Sequence, residues 1–230
     1  MRFIKDKARQ YWALIKSLQT GLLLITGLTG YISANCPITN WHMLLAIGGS
    51  LFLSISGSTV LNMWYDRDID ARMDRTHWRP LPSGKTKPNE AFVLGLILSA
   101  AGVIWAFKLA PIYSAVIFAG LFFDVIVYTV WLKRRTCWSI IWGGISGGMP
   151  ILAGRALATG HLDWIGMALS LAVLFWIPTH MMTFSMRYAD DYQKAGVPTF
   201  PSRYGYQATR IVIAVSSILA AFFIGIASFG

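Results

Sequence analysis

The amino-acid sequence predicts an all-α, polytopic transmembrane helix bundle, and its composition and hydropathy are the observations that predict it. Of its 230 residues, 55% are hydrophobic and 13% are charged, and the mean hydropathy is +0.53. Soluble domains carry about 25% charged residues, so an ordinary soluble domain is excluded. A membrane-spanning helix needs about 20 apolar residues. Seven runs come near that length, at 13–33, 42–62, 91–107, 112–132, 138–158, 163–186 and 210–229.

Basic residues give these runs an orientation. With a cytoplasmic N-terminus, only Lys108 and Arg155 fall away from the inner side. Because cytoplasmic loops are enriched in Lys and Arg, we predict this N-in topology. The net charge of +10 is then a topology signal with membrane lipids as surroundings, and no nucleic-acid partner is expected. Outside the loop 63–90, the inner basic residues are Arg2, Lys5, Lys7, Arg9, Lys16, Lys133, Arg134, Arg135, Arg187, Lys194, Arg203 and Arg210.

In chain order, short outer connections alternate with longer inner ones. The outer connections at 33–41, 108–111 and 159–163 are nearly without charge, whereas the inner loops 63–90 and 187–209 are long and charged. Long loops commonly carry function, so the working face is predicted to be cytoplasmic.

The remaining topological features concern the cysteines and the end of the chain. Cys36 and Cys137 fall on opposite faces in this topology, so no disulfide is expected between them. The seventh run reaches Gly230 without a following polar tail. We therefore interpret 1–230 as a single transmembrane domain that is incomplete at its C-terminus.

The inner loop after the second run begins with a regular acidic pattern. Asn62, Asp66, Asp70 and Asp74 recur every four residues, so a continuous helix would place their oxygens on one face. Like charges at this spacing cost about 0.2–0.5 kcal/mol per pair, which a cation would offset. Because Mg²⁺ binds carboxylates together with phosphate oxygens, the first three residues are predicted metal ligands, and Asp74 is a weaker candidate.

Basic residues accompany this acidic pattern. Asp68 precedes Arg72 by four residues, an order that favours a structural ion pair on a helix. Arg75 and Arg79 follow, before a loop rich in proline and glycine. The planar fork of arginine suits phosphate oxygens, so these two residues are candidate diphosphate clamps. The alternative is that they only contribute to the topology signal.

The second long inner loop contains a second acidic pair. Asp190 and Asp191 follow the sixth run at the same predicted depth as the first cluster, and Gly196 and Pro198 end the segment. Two acidic clusters at one depth could hold metal ions on both sides of a diphosphate. We therefore predict a metal-diphosphate site at the inner membrane face.

Two ionisable residues lie inside predicted spans. His180 and Asp124 are about six and eight residues from the inner ends of their runs, so their depths are similar. A buried, unpaired ionisable group is costly, so such residues are functional candidates. They either line an acceptor site or form a structural contact between helices, and the sequence leaves both interpretations open.

Four motifs resemble those of the UbiA superfamily of intramembrane prenyltransferases, most closely its protoheme IX farnesyltransferases. They are the Asn-Asp-Asp spacing at 62–70, RTxxRPLPSG at 75–84, YTxWLKRRT at 128–136 and DDYxxAGVP at 190–198. The resemblance implies Mg²⁺-dependent transfer of a farnesyl group from farnesyl diphosphate to a vinyl group of haem B, giving haem O. The implied metal ligands are Asn62, Asp66, Asp70, Asp190 and Asp191. The implied diphosphate contacts are Arg75, Arg79, Tyr128, Lys133 and Lys194.

The chain departs from the family pattern on the acceptor side. Ser139 stands where the family has Asn, Pro150 lacks a second proline beside it, and 177–182 reads IPTHMM in place of a PPHFW motif. The donor chemistry is therefore better supported than the acceptor. The family's usual nine spans imply two further spans after Gly230.

Other functions remain open at this point. Another superfamily activity would prenylate a quinone precursor or a similar lipid aromatic. A divalent-cation transporter is disfavoured because such sites usually lie near the midplane, and a noncatalytic haem-binding or assembly protein is a third alternative. The resemblance implies the cytoplasmic membrane of a prokaryote, or the mitochondrial inner membrane, with the active site toward the cytoplasmic side.

Overall fold

The computed structural model describes residues 7, 10–36 and 40–229, and this part of the chain is helical without any strand. Each predicted apolar run corresponds to a helix, so the all-α prediction is confirmed. The helices are α1 Ser17–Ala34, α2 Trp41–Tyr65, α3 Arg67–Asp70, α4 Pro88–Leu109, α5 Pro111–Leu121 with a π-helical continuation Phe122–Leu132, α6 Ser139–Thr159, α7 Trp164–Arg187, α8 Ala189–Lys194 and α9 Phe200–Ala227.

Five helical segments of the described chain are long and apolar enough to cross a membrane. They are α2, α4, α5 with its π-helical continuation, α7 and α9. Helices α1 and α6 do not meet the same test of length and composition, so the number of seven spans stays a prediction. The N-in topology also stays a prediction, because the structure does not show which end of the bundle faces the cytoplasm. Arg2, Lys5 and Arg9, which contribute to that prediction, lie outside the described residues.

Helices α1 and α6 cross in close contact because glycines remove the side chains between them. A Cβ atom at Gly154 would lie 1.9 Å from the carbonyl oxygen of Gly27, and one at Gly30 would lie 2.1 Å from the carbonyl oxygen of Ile151. Small residues permit such backbone contact between membrane helices. This crossing brings the start of α1 to the same end of the bundle as the start of α6.

Capping residues fix where several helices begin. The side chains of Asn40 and Asp163 accept hydrogen bonds from the first-turn amides of α2 and α7, each at 3.1 Å, and Thr199 forms a capping box with Ser202 at the start of α9. Asp163 also pairs with buried Arg155, whose Nε lies 2.6 Å from its Oδ2. The end of α6 and the start of α7 are therefore joined by an ion pair.

Three ion pairs join the inner loops at the opposite end of the bundle. Lys133 pairs with Asp66, Arg134 with Asp68, and Lys194 with Asp74. The inner loops therefore meet at one end of the molecule. This end carries the charged groups that the sequence predicted to be functional.

Lys133 lies at this end of the bundle, directly after the π-helical segment. The amide of Lys133 donates to the carbonyl of Tyr128 at 2.8 Å, and the hydroxyl of Thr129 donates to the carbonyl of Asp124 at 2.7 Å. The backbone bond of Lys133 spans five residues instead of four, and the side-chain bond of Thr129 also reaches five residues back. Widened turns of this kind occur frequently at functional sites.

Candidate active site

The first acidic segment keeps a helical spacing across the end of α2. The amide of Asp66 donates to the carbonyl of Asn62 at 2.9 Å, and the amide of Asp70 donates to that of Asp66 at 2.8 Å. These three residues therefore share a face, and they are only 9%, 1% and 5% exposed. The predicted stripe ends there, because the chain turns after α3. Asp74 is exposed in that turn and does not continue the stripe.

Protein cations compensate the buried carboxylates. Lys133 Nζ pairs with Asp66 Oδ2, and Arg79 Nη1 pairs with Asp70 Oδ2 at 2.7 Å. Burial opposes the charged form of Lys133, but the nearby Tyr128 and Asp66 side chains outweigh it and raise the pKa of Lys133. The other oxygen of Asp66, Oδ1, is buried and has no hydrogen-bond partner among the described residues. This oxygen is available to a cation.

A hydrogen-bond chain orients the amide of Asn62. The hydroxyl of Thr129 uses its proton on the carbonyl of Asp124, so it can only accept from Asn62 Nδ2, which lies 2.7 Å away. Thr129 is fully buried. Because the amide nitrogen is committed to Thr129, the carbonyl oxygen of Asn62 is the atom that can ligate a metal.

The second acidic segment packs against the first. Asp191 is buried, and its Oδ2 accepts a hydrogen bond from the amide of Arg75 at 3.2 Å. Lys194 Nζ reaches Asp74 Oδ2 at 2.7 Å. Beneath these polar contacts lies an apolar cluster shared by both segments. Its buried members are Ile69, Met73, Ala195 and Val197.

The two predicted acidic clusters therefore face each other at one end of the bundle. Asp190, in contrast to Asp191, is exposed. Within the described residues, no three His, Cys, Asp or Glu side chains converge closely enough to form a metal-binding group. The facing clusters contain protein ion pairs instead.

Arg75 and Tyr128 complete the predicted diphosphate set. The Arg75 guanidinium lies 4.7 Å from the ring centre of Phe184 and 5.3 Å from that of Tyr188. These aromatic faces hold the guanidinium in place, while its Nε is buried without a hydrogen-bond partner. The Lys133 ammonium lies 5.5 Å from the ring centre of Tyr128. Both predicted residues therefore lie beside the acidic segments.

Asp68 and Lys194 have ion-pair partners in the structure that the sequence did not predict. Asp68 pairs with Arg134 through two hydrogen bonds of 2.7 and 2.8 Å, and not with Arg72. A bidentate pair is stronger than a single contact between helix neighbours, and the Arg134 contact lowers the pKa of Asp68. Lys194, which the resemblance assigns to diphosphate binding, forms its ion pair with Asp74 at the exposed edge of the site.

The two ionisable residues predicted for the acceptor side are not brought together. Asp124 accepts a 2.5 Å hydrogen bond from Ser58, which ties the π-helical segment to α2. His180 is exposed on α7 and stacks on Trp176, with ring centres 5.5 Å apart and planes at 5°. Asp124 therefore belongs to the interior between helices, and His180 belongs to an outward-facing aromatic surface.

Lys16 lies beside the candidate site, although the sequence interpretation did not single it out. The sequence places it inside the apolar run 13–33, where it counts as a topology charge, but α1 begins one residue later at Ser17. It lines a cavity of about 340 Å³ beside Arg75 and Arg79. The only sequence signal was a charge near the start of an apolar run, which the positive-inside pattern explains equally well.

The fold and the paired acidic segments define a class of intramembrane enzyme. Residues 23–230 match the family model described as the UbiA prenyltransferase family. The chain therefore belongs to the UbiA prenyltransferase family, and it is a prenyltransferase of the membrane-embedded type.

Its curated relatives point to one branch of this family. The chain is 41% identical over 216 residues to the protoheme IX farnesyltransferase of Archaeoglobus fulgidus, covering 93% of this chain and 76% of the relative. It is 40% identical over 215 residues to the protoheme IX farnesyltransferase of Korarchaeum cryptofilum, covering 94% of this chain and 72% of the relative.

Solved structures share the fold at lower sequence identity. A UbiA homologue from Archaeoglobus fulgidus bound to DMAPP and Mg²⁺ superposes with a TM-score of 0.81 at 15% identity, covering 95% of this chain and 77% of the other. The apo structure of a UbiA homologue from Aeropyrum pernix K1 gives 0.78 at 19% identity, with coverages of 94% and 81%. The comparisons therefore support the predicted UbiA architecture.

Proposed function

We propose that this protein transfers a farnesyl group from farnesyl diphosphate to a vinyl group of haem B, with Mg²⁺ at the acidic segments, and so makes haem O. The observation that carries the proposal is the meeting of two acidic segments among Arg75, Arg79 and Lys133. The names of the curated relatives support the farnesyl donor and the haem acceptor.

The residues at the acidic segments offer the oxygen donors that a magnesium ion prefers. Asp66 Oδ1 is a buried carboxylate oxygen without a partner, and the Asn62 carbonyl oxygen is directed away from the Thr129 contact. The proposed ligands are Asn62, Asp66, Asp70, Asp190 and Asp191. When bound there, Mg²⁺ would supply positive charge that stabilises the leaving diphosphate.

The basic side chains have two roles in this proposal. Lys133 and Arg79 neutralise Asp66 and Asp70 in the metal-free protein. With a metal on these carboxylates, the two cations would be available to the diphosphate oxygens. Arg75 is already held over aromatic rings with its Nε unpaired. These fixed positive groups stabilise charge that develops as the bond between carbon and oxygen breaks.

Capture of the allylic cation completes the reaction. The vinyl carbon of the acceptor attacks the farnesyl cation, and water then adds to the cation left on the neighbouring carbon and releases a proton. A site within the bilayer limits premature hydrolysis of the first cation. His180 and Asp124 remain the proposed acceptor-side residues. His180 and Trp176 offer a flat surface to a macrocycle, whereas Asp124 is better suited to support α2 through Ser58.

The location of the reaction follows from the charge distribution. The inner loops that form the site carry most of the basic residues, so we propose that the site faces the cytoplasm in a prokaryotic cytoplasmic membrane. Both substrates have long or flat apolar parts and can reach such a site from the lipid.

Product analysis with purified protein in nanodiscs tests this function. The protein is incubated with Mg²⁺, farnesyl diphosphate and haem B, and the pigments are analysed by mass spectrometry. We expect a farnesylated haem, and we expect Asp66→Asn and Asp191→Asn to lower its rate at least about 100-fold. Asp68→Asn is the matched control, because Asp68 lies in the same segment and pairs with Arg134 outside the site.

Parallel incubations separate the alternatives. Haem B is replaced by an aromatic acid or a naphthoate, and the prenyl donor is varied in length. Absence of any haem adduct would overturn the proposal. A prenylated aromatic acid as the only product would assign the chain to the branch that modifies quinone precursors.

A further inference from the structure

Lys16 has an unusual backbone conformation. Its φ and ψ angles are 48° and 60°, and it is the only non-glycine residue with positive φ in the part of the chain that the structure describes. A side chain is disfavoured in this left-handed region, and residues held there often belong to functional sites. The conformation separates the helical residues 10–14 from α1 and turns the chain at Lys16.

The side chain of Lys16 lies beside other cationic side chains. It lines the 340 Å³ cavity together with Arg75 and Arg79, and none of the described residues that line this cavity is acidic. Its ammonium makes no hydrogen bond or ion pair with the described residues. Burial, followed by the charges of Arg79 and Lys133, lowers the pKa of Lys16 to about 8, although the carboxylates of Asp70 and Asp66 act in the opposite direction. An anion in the cavity would therefore relieve repulsion among these cations.

The cavity adjoins the proposed metal ligands. Arg79 lines it and also binds Asp70. Arg75 lines it and donates its amide to Asp191. An anion held by Lys16, Arg75 and Arg79 would therefore lie next to both acidic segments. A diphosphate bound here would have Lys16, Arg75 and Arg79 as its cationic partners.

We propose that Lys16 is a further binding residue for the diphosphate of the prenyl donor, and that the cavity between Lys16, Arg75 and Arg79 receives its terminal phosphate. This inference rests on the proposed function for the identity of the donor. It assigns a substrate contact to the segment before α1, outside the acidic and basic motifs.

Binding of inorganic pyrophosphate tests the proposal without turnover. Isothermal titration in the presence of Mg²⁺ compares the wild type with Lys16→Gln, Lys16→Arg and Lys16→Gly in phosphatidylcholine nanodiscs. We expect Gln and Gly to weaken binding about 10- to 100-fold, as for the loss of one charge-assisted hydrogen bond, and Arg to retain most of the affinity. Lys87→Gln is the matched control, because Lys87 is exposed and outside the cavity.

Thermal unfolding separates substrate binding from a structural role. Glycine adopts positive φ without strain, so Lys16→Gly should unfold at the same or a higher temperature while it binds pyrophosphate weakly. A glycine variant that unfolds at a lower temperature and binds pyrophosphate like the wild type would overturn the proposal. Wild-type affinity in Lys16→Gln would overturn it as well.

A lipid phosphate is the other possible source of the anion. The titrations are therefore repeated in nanodiscs that contain phosphatidylglycerol. Equal effects of Lys16→Gln in both lipids support the donor diphosphate, whereas an effect confined to phosphatidylglycerol would overturn it. Pyrophosphate binding that depends on Lys16 in a protein that yields no farnesylated haem would refute the proposed function and leave this inference intact.

Discussion

At the scale of single residues, the position of each hydrogen determines what the site can bind. Thr129 donates to the Asp124 carbonyl and accepts from Asn62, so one buried hydroxyl determines which atom of the Asn62 amide is free. Such supporting contacts commonly matter for metal affinity almost as much as the ligands themselves.

Replacement of Thr129 tests this orientation. Thr129→Val keeps the shape but removes the hydroxyl, so the Asn62 amide loses its acceptor. We expect the apparent Mg²⁺ affinity or the turnover to fall about 10- to 100-fold. Thr129→Ser keeps the hydroxyl and should stay near the wild type. Steady-state kinetics over a Mg²⁺ titration provide the measurement, and equal constants for Val and Ser would contradict the interpretation.

The buried pair of Lys133 and Asp66 predicts a loss of stability when one partner is removed. Lys133→Met leaves the Asp66 carboxylate buried and uncompensated, which should cost about 3–5 kcal/mol in the metal-free protein. Because the folded-state pKa of Lys133 is raised, its contribution is fully present below its ordinary pKa of about 10.4 and disappears only above it. The destabilisation should therefore be constant between about pH 6 and 9.

Thermal unfolding in EDTA and in Mg²⁺ measures this effect. Mg²⁺ should restore part of the stability of Lys133→Met, since the metal would replace the ammonium beside Asp66. Arg134→Met, which breaks the exposed pair with Asp68, should cost less than about 1 kcal/mol. An identical loss in both variants would argue against a special role for the buried pair.

At the scale of helices and loops, the contact between the two acidic segments is the feature on which the site depends. Asp74 and Lys194 lie 2.7 Å apart although they are 120 positions apart in the sequence. A zero-length carbodiimide cross-linker should therefore join them in an amide. Mass spectrometry of a digest should detect the joined peptides. They should disappear in Lys194→Gln, and their absence from the wild type would contradict the facing arrangement.

The close crossing of α1 and α6 can be tested by adding a methyl group at Gly154. Gly154→Ala would place a methyl group 1.9 Å from the Gly27 carbonyl oxygen, so the helices must separate. We expect a loss of about 1–3 kcal/mol. Gly21→Ala is the matched control, because its Cβ would meet no atom within 4 Å. Unfolding temperatures in detergent give the comparison, and similar values for both variants would refute the close crossing.

The helices were predictable because hydropathy and length are local properties of the sequence. The four-residue spacing also placed Asn62, Asp66 and Asp70 on one face, which is buried in the structure. It wrongly extended this face to Asp74, because spacing alone does not reveal where a helix ends. The partnership of Asp68 with Arg134 was missed for a related reason: the choice between a near and a distant arginine depends on how the loops fold together.

At the scale of the whole molecule, the sequence predicts which end of the bundle faces the cytoplasm. Cys36 is exposed near the outer end of α1, whereas Lys85 is exposed in the inner loop. In intact spheroplasts, a membrane-impermeant maleimide should label Cys36 but not a Lys85→Cys variant that also carries Cys36→Ser. Permeabilised cells should give labelling of both. The opposite pattern would reverse the topology and move the site to the other side.

The site as a whole was only partly predictable. Its acids and arginines belong to compact motifs that a single sequence exposes. Lys16 does not, because its role depends on a turn of the backbone and on residues more than fifty positions away. Contacts of this kind arise from the assembled bundle, and no local pattern of residues encodes them.

The π-helical conformation of Phe122–Leu132 limits which insertions and deletions this segment can accept. The amide of Lys133 bonds five residues back instead of four, so loss of one residue from a segment that kept its π-helical winding would swing the Lys133 amine away from Asp66 without altering any charge. The direction of the Lys133 side chain therefore depends on the number of residues in this segment. A homologue with a one-residue gap in this segment would need to supply its ammonium from a different position.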